Sequence, residues 1–141
     1  MRQIDLIVLH HSASRAATHT WEEIRQWHLA KGWADIGYHF GVVNDEGRWQ
    51  VKQGRPVAIV GAHAKGFNAH SIGVCFEGNF NETSMPLEQF NLGFRLVADL
   101  AEACAVPLSR IQMHRALPYP TECPGARFPY DDMIAAIRAR A

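Results

Sequence analysis

The sequence has no excess of charge of either sign. Lys and Arg together number 14, as do Asp and Glu, so the formal net charge is zero and the pI is about 7.1. Nucleic-acid-binding domains usually carry a basic face, and acidic tails are runs of like charge. Neither feature occurs here. The composition therefore argues against a nucleic-acid partner and favours a protein that acts on a small substrate over a phosphate binder.

Cysteine is scarce and odd in number, with three residues at positions 75, 104 and 123. An odd set argues against a disulfide framework and favours a reducing compartment. Cys75 lies in an apolar run and Cys104 ends a helix-like stretch, so both are expected to be small buried hydrophobic residues. Cys123 differs from them because it lies in a proline-rich segment.

Long hydrophobic runs are also missing. No apolar run approaches the roughly 20 residues that span a bilayer, so we expect no membrane association. The N-terminal residues are too few and too polar for a secretory signal and instead predict a strand. We therefore expect synthesis in the cytoplasm without a signal peptide. Repeats and linkers are absent too, which predicts a single domain over residues 1–141.

The order of apolar patterns along the chain predicts an α/β fold. The predicted strands are residues 4–10, 38–44, 48–52, 71–77 and 110–113, the second and third flanking a hairpin turn at Asp45-Glu46-Gly47. The predicted helices are residues 20–31, residues 86–104 and a last helix from residue 128 onward. Strands alternating with helices in this way predict a mixed central β-sheet with helices on both faces.

The segment from His114 to Cys123 carries the strongest chemical pattern. It places an imidazole and a thiol nine residues apart, and prolines at 118, 120 and 124 prevent regular helix or ladder hydrogen bonds. A stiff loop of this kind can bind a metal ion with little further ordering. Nitrogen and sulfur ligands suit zinc, whereas magnesium and calcium prefer oxygen. The alternative for Cys123 is a buried turn residue.

Two adjacent histidines, His10 and His11, end the first predicted strand. Successive side chains of a strand point to opposite faces, so only one of the pair can face a given site, and the residues alone leave open which one. Either would complete a set of three protein ligands. Catalytic zinc usually has three protein ligands and an open position, whereas structural zinc usually has four. The alternative for each histidine is a surface or capping role.

Four segments match a known family in the same order and at similar spacing. They are LHHSAS at 9–14, KGWADIGYHF at 31–40, GAHAKGFNAHSIGVCFEGNF at 61–80 and HRALPYPTECPG at 114–125. On these segments the chain resembles the zinc-dependent N-acetylmuramoyl-L-alanine amidases, namely the short phage lysozyme-type enzymes and the amidase-like peptidoglycan recognition proteins. The resemblance implies their single-domain fold and a Zn²⁺ cofactor on His10, His114 and Cys123. His11 is then left with a structural role.

The same resemblance implies the catalytic residues. The family's active-site tyrosine falls on Tyr38. The residue two before the cysteine ligand is Thr121, as in catalytic recognition proteins, where the phage enzymes have lysine. The alternatives are a core aromatic for Tyr38 and a turn threonine for Thr121. More distant amidases carry a glutamate base at the position of Cys75, and Glu77 is expected to be a buried structural partner and not a second catalytic carboxylate.

The loop after residue 60 is where the family places part of its substrate cleft. His63 and Asn68 lie in this loop and are expected to contact the glycan or the stem peptide, with a packing role as the alternative for His63. The expected partner is peptidoglycan, in the form of a muramyl peptide, and the chain is expected to be a monomer.

The resulting hypothesis is an N-acetylmuramoyl-L-alanine amidase that uses zinc to cut the amide bond between N-acetylmuramic acid and L-alanine. It would serve as a phage or prophage endolysin and act on the cell wall after release. One alternative is a recognition module that binds peptidoglycan without cutting it, although such relatives commonly lose the cysteine ligand. Another is a cysteine peptidase that uses Cys123 with His114 or His10.

Overall fold

The computed structural model describes residues 2–14 and 20–140. Within these ranges the strands are β1 (Leu6–His11), β2 (Phe40–Asp45), β3 (Arg48–Gln53), β4 (Ser71–Phe76) and β5 (Ile111–Met113). The α-helices are α1 (Thr20–Ala30), α2 (Leu87–Cys104) and α3 (Tyr130–Arg140). Short 3₁₀ turns lie at Asn68–His70, Leu108–Arg110 and His114–Ala116. No helix in the described ranges is both long enough and apolar enough to cross a membrane.

The strands form one mixed sheet in the order β3-β2-β4-β1-β5. β1 runs parallel to β4 and to β5, β2 runs parallel to β4, and β2 and β3 form the antiparallel hairpin. The register places His10 beside Cys75 on β4. Every residue of β1 and β4 is buried, as expected for parallel strands that are covered on both faces.

Helices cover both faces of this sheet, as the sequence predicted. One face packs against α2 and α3, and its core contains Ile7, Leu9, Val42, Ile72, Val74, Phe76, Val97, Met133 and Ile137. On the other face, Trp21 and Ile24 of α1 pack against Val43 and Cys75. Because side chains alternate along each strand, one set lies in the core beneath α2 and α3 and the other set lies on the face that α1 covers.

The face of β4 that α1 covers carries small side chains. Ser71, Gly73 and Cys75 alternate with the larger residues of the opposite face. A Cβ atom on Gly73 would lie only 2.5 Å from the imidazole ring of His63, which is closer than real Cβ contacts. The missing side chain at position 73 thus makes room for a histidine ring between the sheet and the loops above it.

The contact between α2 and the sheet depends on Gly93. A Cβ atom at this position would lie 2.2 Å from the ring of Phe76. Alanine is favoured over glycine in a helix by about 1 kcal/mol, but overpacking a core costs about 1–3 kcal/mol. We therefore expect Gly93→Ala to lower the free energy of unfolding measured by urea denaturation. The double variant Gly93→Ala/Phe76→Leu should lose less free energy of unfolding than the two single variants lose in sum. A Gly93→Ala protein that is more stable than the wild type would contradict this account.

Candidate active site

Three side chains that are far apart in the sequence converge at one edge of the sheet. His10 lies near the carboxyl end of β1, His114 directly follows β5, and Cys123 lies in the loop beyond it. Because β1 and β5 are parallel neighbours, their carboxyl ends meet at this edge. The potential ligand atoms of the three side chains lie within 4.8 Å of one another.

The spacing and chemistry of these donors fit a zinc ion. His10 Nδ1 lies 3.6 Å from Cys123 Sγ. Tetrahedral zinc, with Zn–S of about 2.3 Å and Zn–N of about 2.0–2.1 Å, would hold a sulfur and a nitrogen about 3.6 Å apart. His114 Nε2 is buried and has no hydrogen-bond partner among residues 2–14 and 20–140, although buried polar atoms normally have one. A metal ion would satisfy this nitrogen.

Burial determines the protonation of the three donors. Burial, with smaller contributions from nearby histidines, lowers the pKa of His10 well below its usual value, and burial lowers the pKa of His114. Both rings are therefore neutral at pH 7, which is the form that binds a metal. Burial also raises the pKa of the Cys123 thiol to about 11. Nucleophilic cysteines show the opposite shift, because they need the thiolate at neutral pH.

His11 faces the other side of the sheet. Its Nδ1 accepts a hydrogen bond from the backbone N–H of Phe80 at 3.2 Å, and its ring stacks on the Phe80 ring with centroids 6.1 Å apart. Its backbone N–H lies 3.4 Å from Cys123 Sγ. The side chain of His11 therefore holds the turn after β4, while its backbone helps to place the sulfur.

Tyr38 lies over the candidate site. Its ring centroid is 5.1 Å from that of His10. Burial, followed by the effects of Cys75 and Cys123, raises the pKa of Tyr38 well above its usual value, so the hydroxyl keeps its proton and can donate it in a hydrogen bond. The hydroxyl also contacts the Cys75 thiol, which is fully buried on β4. Cys75 is thus the small buried residue that the sequence predicted, with an additional contact to Tyr38.

Thr121 orders the turn that presents the sulfur. Its Oγ1 accepts the backbone N–H of Cys123 at 3.2 Å. Thr121 also lines a cavity of about 400 Å³, here called the donor pocket, together with Tyr38 and the three donors. Accepting this hydrogen bond does not use the hydroxyl proton, so the turn role and a donor role are compatible.

His63 contacts His10 directly, a contact that the sequence did not predict. Its Nδ1 lies 2.9 Å from His10 Nε2, and its Nε2 lies 3.2 Å from Ser71 Oγ. Burial lowers the pKa of His63 well below its usual value, so the ring is neutral. Both ring nitrogens are engaged within the protein, which leaves the ring carbons for any contact with substrate. Gly73 is the sequence feature that could have indicated this contact, because it leaves space for a ring on β4. The sequence does not show which ring fills that space.

Asn68 holds the loop that carries His63. Its Oδ1 accepts the backbone N–H groups of His63 and Ala64, both at 2.9 Å. Asn68 also lines a cavity of about 420 Å³, here called the groove, with Lys31, Trp33, Lys65 and Tyr119 among its other residues. The groove adjoins the donor pocket, since Tyr38, His63 and His114 line both.

Glu77 lies away from the donor pocket. It is buried with 4% of its surface exposed, and its carboxylate accepts a hydrogen bond from the Thr20 side chain at the start of α1. Burial raises its pKa. It lines a separate cavity of about 730 Å³ with Asn44 and Trp49. The buried structural role predicted for Glu77 agrees with this position.

Known proteins are similar to this chain in both sequence and fold. Residues 1–126 match the family model described as N-acetylmuramoyl-L-alanine amidase. The endolysin of Escherichia phage T7 is 40% identical over 105 residues, which cover 70% of this chain and 68% of the phage protein. Peptidoglycan-recognition protein SC2 of Drosophila melanogaster is 34% identical over 125 residues, which cover 84% of this chain and 66% of that protein.

A solved structure extends the similarity to nearly the whole chain. The N-acetylmuramoyl-L-alanine amidase LysC from Clostridium intestinale URNW superposes with a TM-score of 0.86 at 32% identity, and the match covers 97% of this chain and 87% of LysC. Sequence and fold therefore lead to the same assignment. The chain belongs to the N-acetylmuramoyl-L-alanine amidase family and is a peptidoglycan amidase.

Proposed function

We propose that this amidase depends on a zinc ion held by His10, His114 and Cys123, and that it cuts the bond between N-acetylmuramic acid and L-alanine. The convergence of these three donors carries the proposal, together with the buried Nε2 of His114, which has no hydrogen-bond partner in the part of the chain that the structure describes. The similarity to a phage endolysin supports a role as a phage or prophage endolysin that acts on the cell wall after release.

The residues of the donor pocket have two kinds of role, binding the metal and donating hydrogen bonds to the substrate. His10, His114 and Cys123 would hold the zinc ion, which would supply a nucleophile from water at neutral pH and polarise the carbonyl of the scissile amide. Tyr38 keeps its proton and donates to the carbonyl oxygen as negative charge develops there. The hydroxyl of Thr121 lines the same pocket and provides a second donor. Loss of one such donor typically costs about 10²–10³ in rate.

The groove supports binding of a muramyl peptide next to the donor pocket. Lys31 and Lys65 line it and give it positive charge, which suits the carboxylates of a stem peptide. Trp33 and Tyr119 provide flat apolar surfaces in the same groove. Asn68 remains a candidate substrate contact because it lines this groove.

The contact between Cys123 Sγ and His10 Nδ1 also bears on the cysteine-peptidase alternative. A thiol next to an imidazole is the arrangement of a cysteine nucleophile and its base. Burial raises the pKa of this thiol to about 11, however, so the thiolate needed for attack is scarce at neutral pH. The chemistry of the pocket therefore favours a metal ligand.

Metal removal tests the proposal. We expect about one zinc per chain in the purified protein, release of stem peptide from sacculi, loss of that release after chelation and its recovery when zinc is restored. Hydrolysis that survives complete metal removal but ends after thiol alkylation would identify a cysteine peptidase. Bound zinc without any release of stem peptide from sacculi would identify a recognition module.

A further inference from the structure

We infer that His63 and Ser71 position the metal ligand His10 by determining which of its ring nitrogens carries the proton. The inference rests on the zinc site proposed above. It assigns His63 a positioning role in place of a direct hydrogen bond to substrate.

When a metal ion binds His10 Nδ1, the hydrogen-bond network has one consistent direction. His10 Nδ1 faces Cys123 Sγ at 3.6 Å, and a nitrogen that binds a metal carries no proton, so the His10 proton lies on Nε2. Nε2–H donates to His63 Nδ1 at 2.9 Å, which in turn places the His63 proton on its Nε2. This second N–H donates to Ser71 Oγ at 3.2 Å. The proton positions are assigned from this network, in which each bond has one donor and one acceptor.

The ring of His63 is held in the place that this network needs. A Cβ atom on Gly73 would lie 2.5–2.7 Å from three of its ring atoms, so the ring rests directly on the backbone of β4. The ring of His39 lies against it edge-on, with centroids 5.7 Å apart. His39 is itself fixed, since its Nδ1 accepts the Gly73 N–H at 3.1 Å and its Nε2 donates to the Ile59 carbonyl at 2.8 Å.

This arrangement stabilises the tautomer of His10 that can bind a metal through Nδ1. With the His10 proton on Nε2, the unprotonated Nδ1 faces Cys123, and the thiol proton is then the one that must leave when the metal binds. Loss of a hydrogen-bond partner of a ligand histidine typically weakens metal binding about 10–100-fold. Ser71 is one hydrogen bond further from the metal, so its loss should weaken binding less.

Zinc affinity measured by competition with a chromogenic chelator tests the inference. His63→Leu fills much of the space but accepts no hydrogen bond, and we expect it to bind zinc about 10–100-fold more weakly than the wild type. His63→Asn carries an acceptor oxygen near the place of Nδ1 and should recover most of this loss. His70→Ala is the matched control, because His70 lies in the same segment and pairs with Asp5 at 2.6 Å, away from the donors.

The tautomer itself gives a second readout that needs neither metal nor substrate. In the metal-free wild type, ¹⁵N chemical shifts of the His10 ring should show the proton on Nε2, and His63→Leu should shift the population towards the Nδ1–H form. Ser71→Ala should weaken zinc binding by a smaller factor than His63→Leu. If His63→Leu does not fold, the His10 tautomer of the metal-free wild type decides, and a proton on Nδ1 would overturn the positioning role.

The outcomes separate this inference from the proposed function. A wild-type protein that binds no zinc would refute the zinc-dependent function itself. A wild type that binds zinc, with His63→Leu within about twofold of its affinity and with the same His10 tautomer, would overturn the positioning role alone. Equal affinity of Ser71→Ala and the wild type would overturn the part assigned to Ser71.

Discussion

Replacing Cys123 by serine is expected to remove zinc from the protein and to reduce the hydrolysis of peptidoglycan to background. The sulfur is held by the backbone N–H of His11 and by the turn that Thr121 orders, so the loop should keep its shape in the variant. A serine hydroxyl at this place is a poor zinc ligand, since it does not deprotonate as a thiol does. Metal content by mass spectrometry and release of stem peptide from sacculi measure the two effects.

The ligand assignment extends this expectation to both imidazoles. His10→Ala and His114→Ala should lose zinc and activity to the same extent as the serine variant. His11→Ala is the informative control, because it removes the hydrogen bond to the Phe80 N–H on the opposite face and should lower the melting temperature while zinc remains bound. Retained activity in a ligand variant, or a zinc-free His11→Ala protein, would show that the ligands are assigned wrongly.

Tyr38→Phe is expected to keep zinc and to lose about 10²–10³ in turnover. Phenylalanine preserves the aromatic ring that lies 5.1 Å from the ring of His10, but it removes the one hydroxyl that can donate to the developing oxyanion from this position. The measurement is kcat on a defined muramyl peptide, with zinc content determined on the same sample.

Tyr130→Phe provides a matched control for this change. The Tyr130 hydroxyl donates to the Ile111 carbonyl, and Tyr130 lines neither the donor pocket nor the groove, so the loss of this hydroxyl should affect stability and leave turnover unchanged. Wild-type turnover in Tyr38→Phe would reduce Tyr38 to a packing residue. Loss of zinc in Tyr38→Phe would mean that the hydroxyl supports the metal site instead of the reaction.

Much of the fold follows from local patterns in the sequence. The predicted helix over residues 20–31 is observed as Thr20–Ala30, and the predicted strand over 71–77 is observed as Ser71–Phe76. The first strand was predicted from residue 4, but it begins at Leu6, where pairing with Ser71 of β4 starts. Ile4 is nevertheless buried, with 8% of its surface exposed. Apolar character reports burial, whereas the ends of a strand depend on its neighbours.

The candidate site was less predictable than the elements that carry it. The pattern of the proline-stiffened loop identified His114 and Cys123 as a candidate pair, whereas alternation alone could not choose between His10 and His11, and only the family resemblance favoured His10. In the structure, the side chain of His11 contacts Phe80 on the other face, which agrees with that choice. His63 was expected at the substrate, and its contact with His10 joins residues that are 53 positions apart in the chain.

The sequence by itself determined the order of strands and helices, the neutral charge and the family, and the resemblance to that family implied the three donor residues. These features are local, or they are carried by motifs whose residues are close together in the chain. Only the tertiary structure decided which nitrogen of His10 faces Cys123. It also decided that the other nitrogen of His10 contacts His63, which in turn contacts Ser71. Those contacts arise from the parallel pairing of β1 with β4 and β5. This pairing joins segments that are far apart in the chain, so no single segment of the sequence determines its geometry.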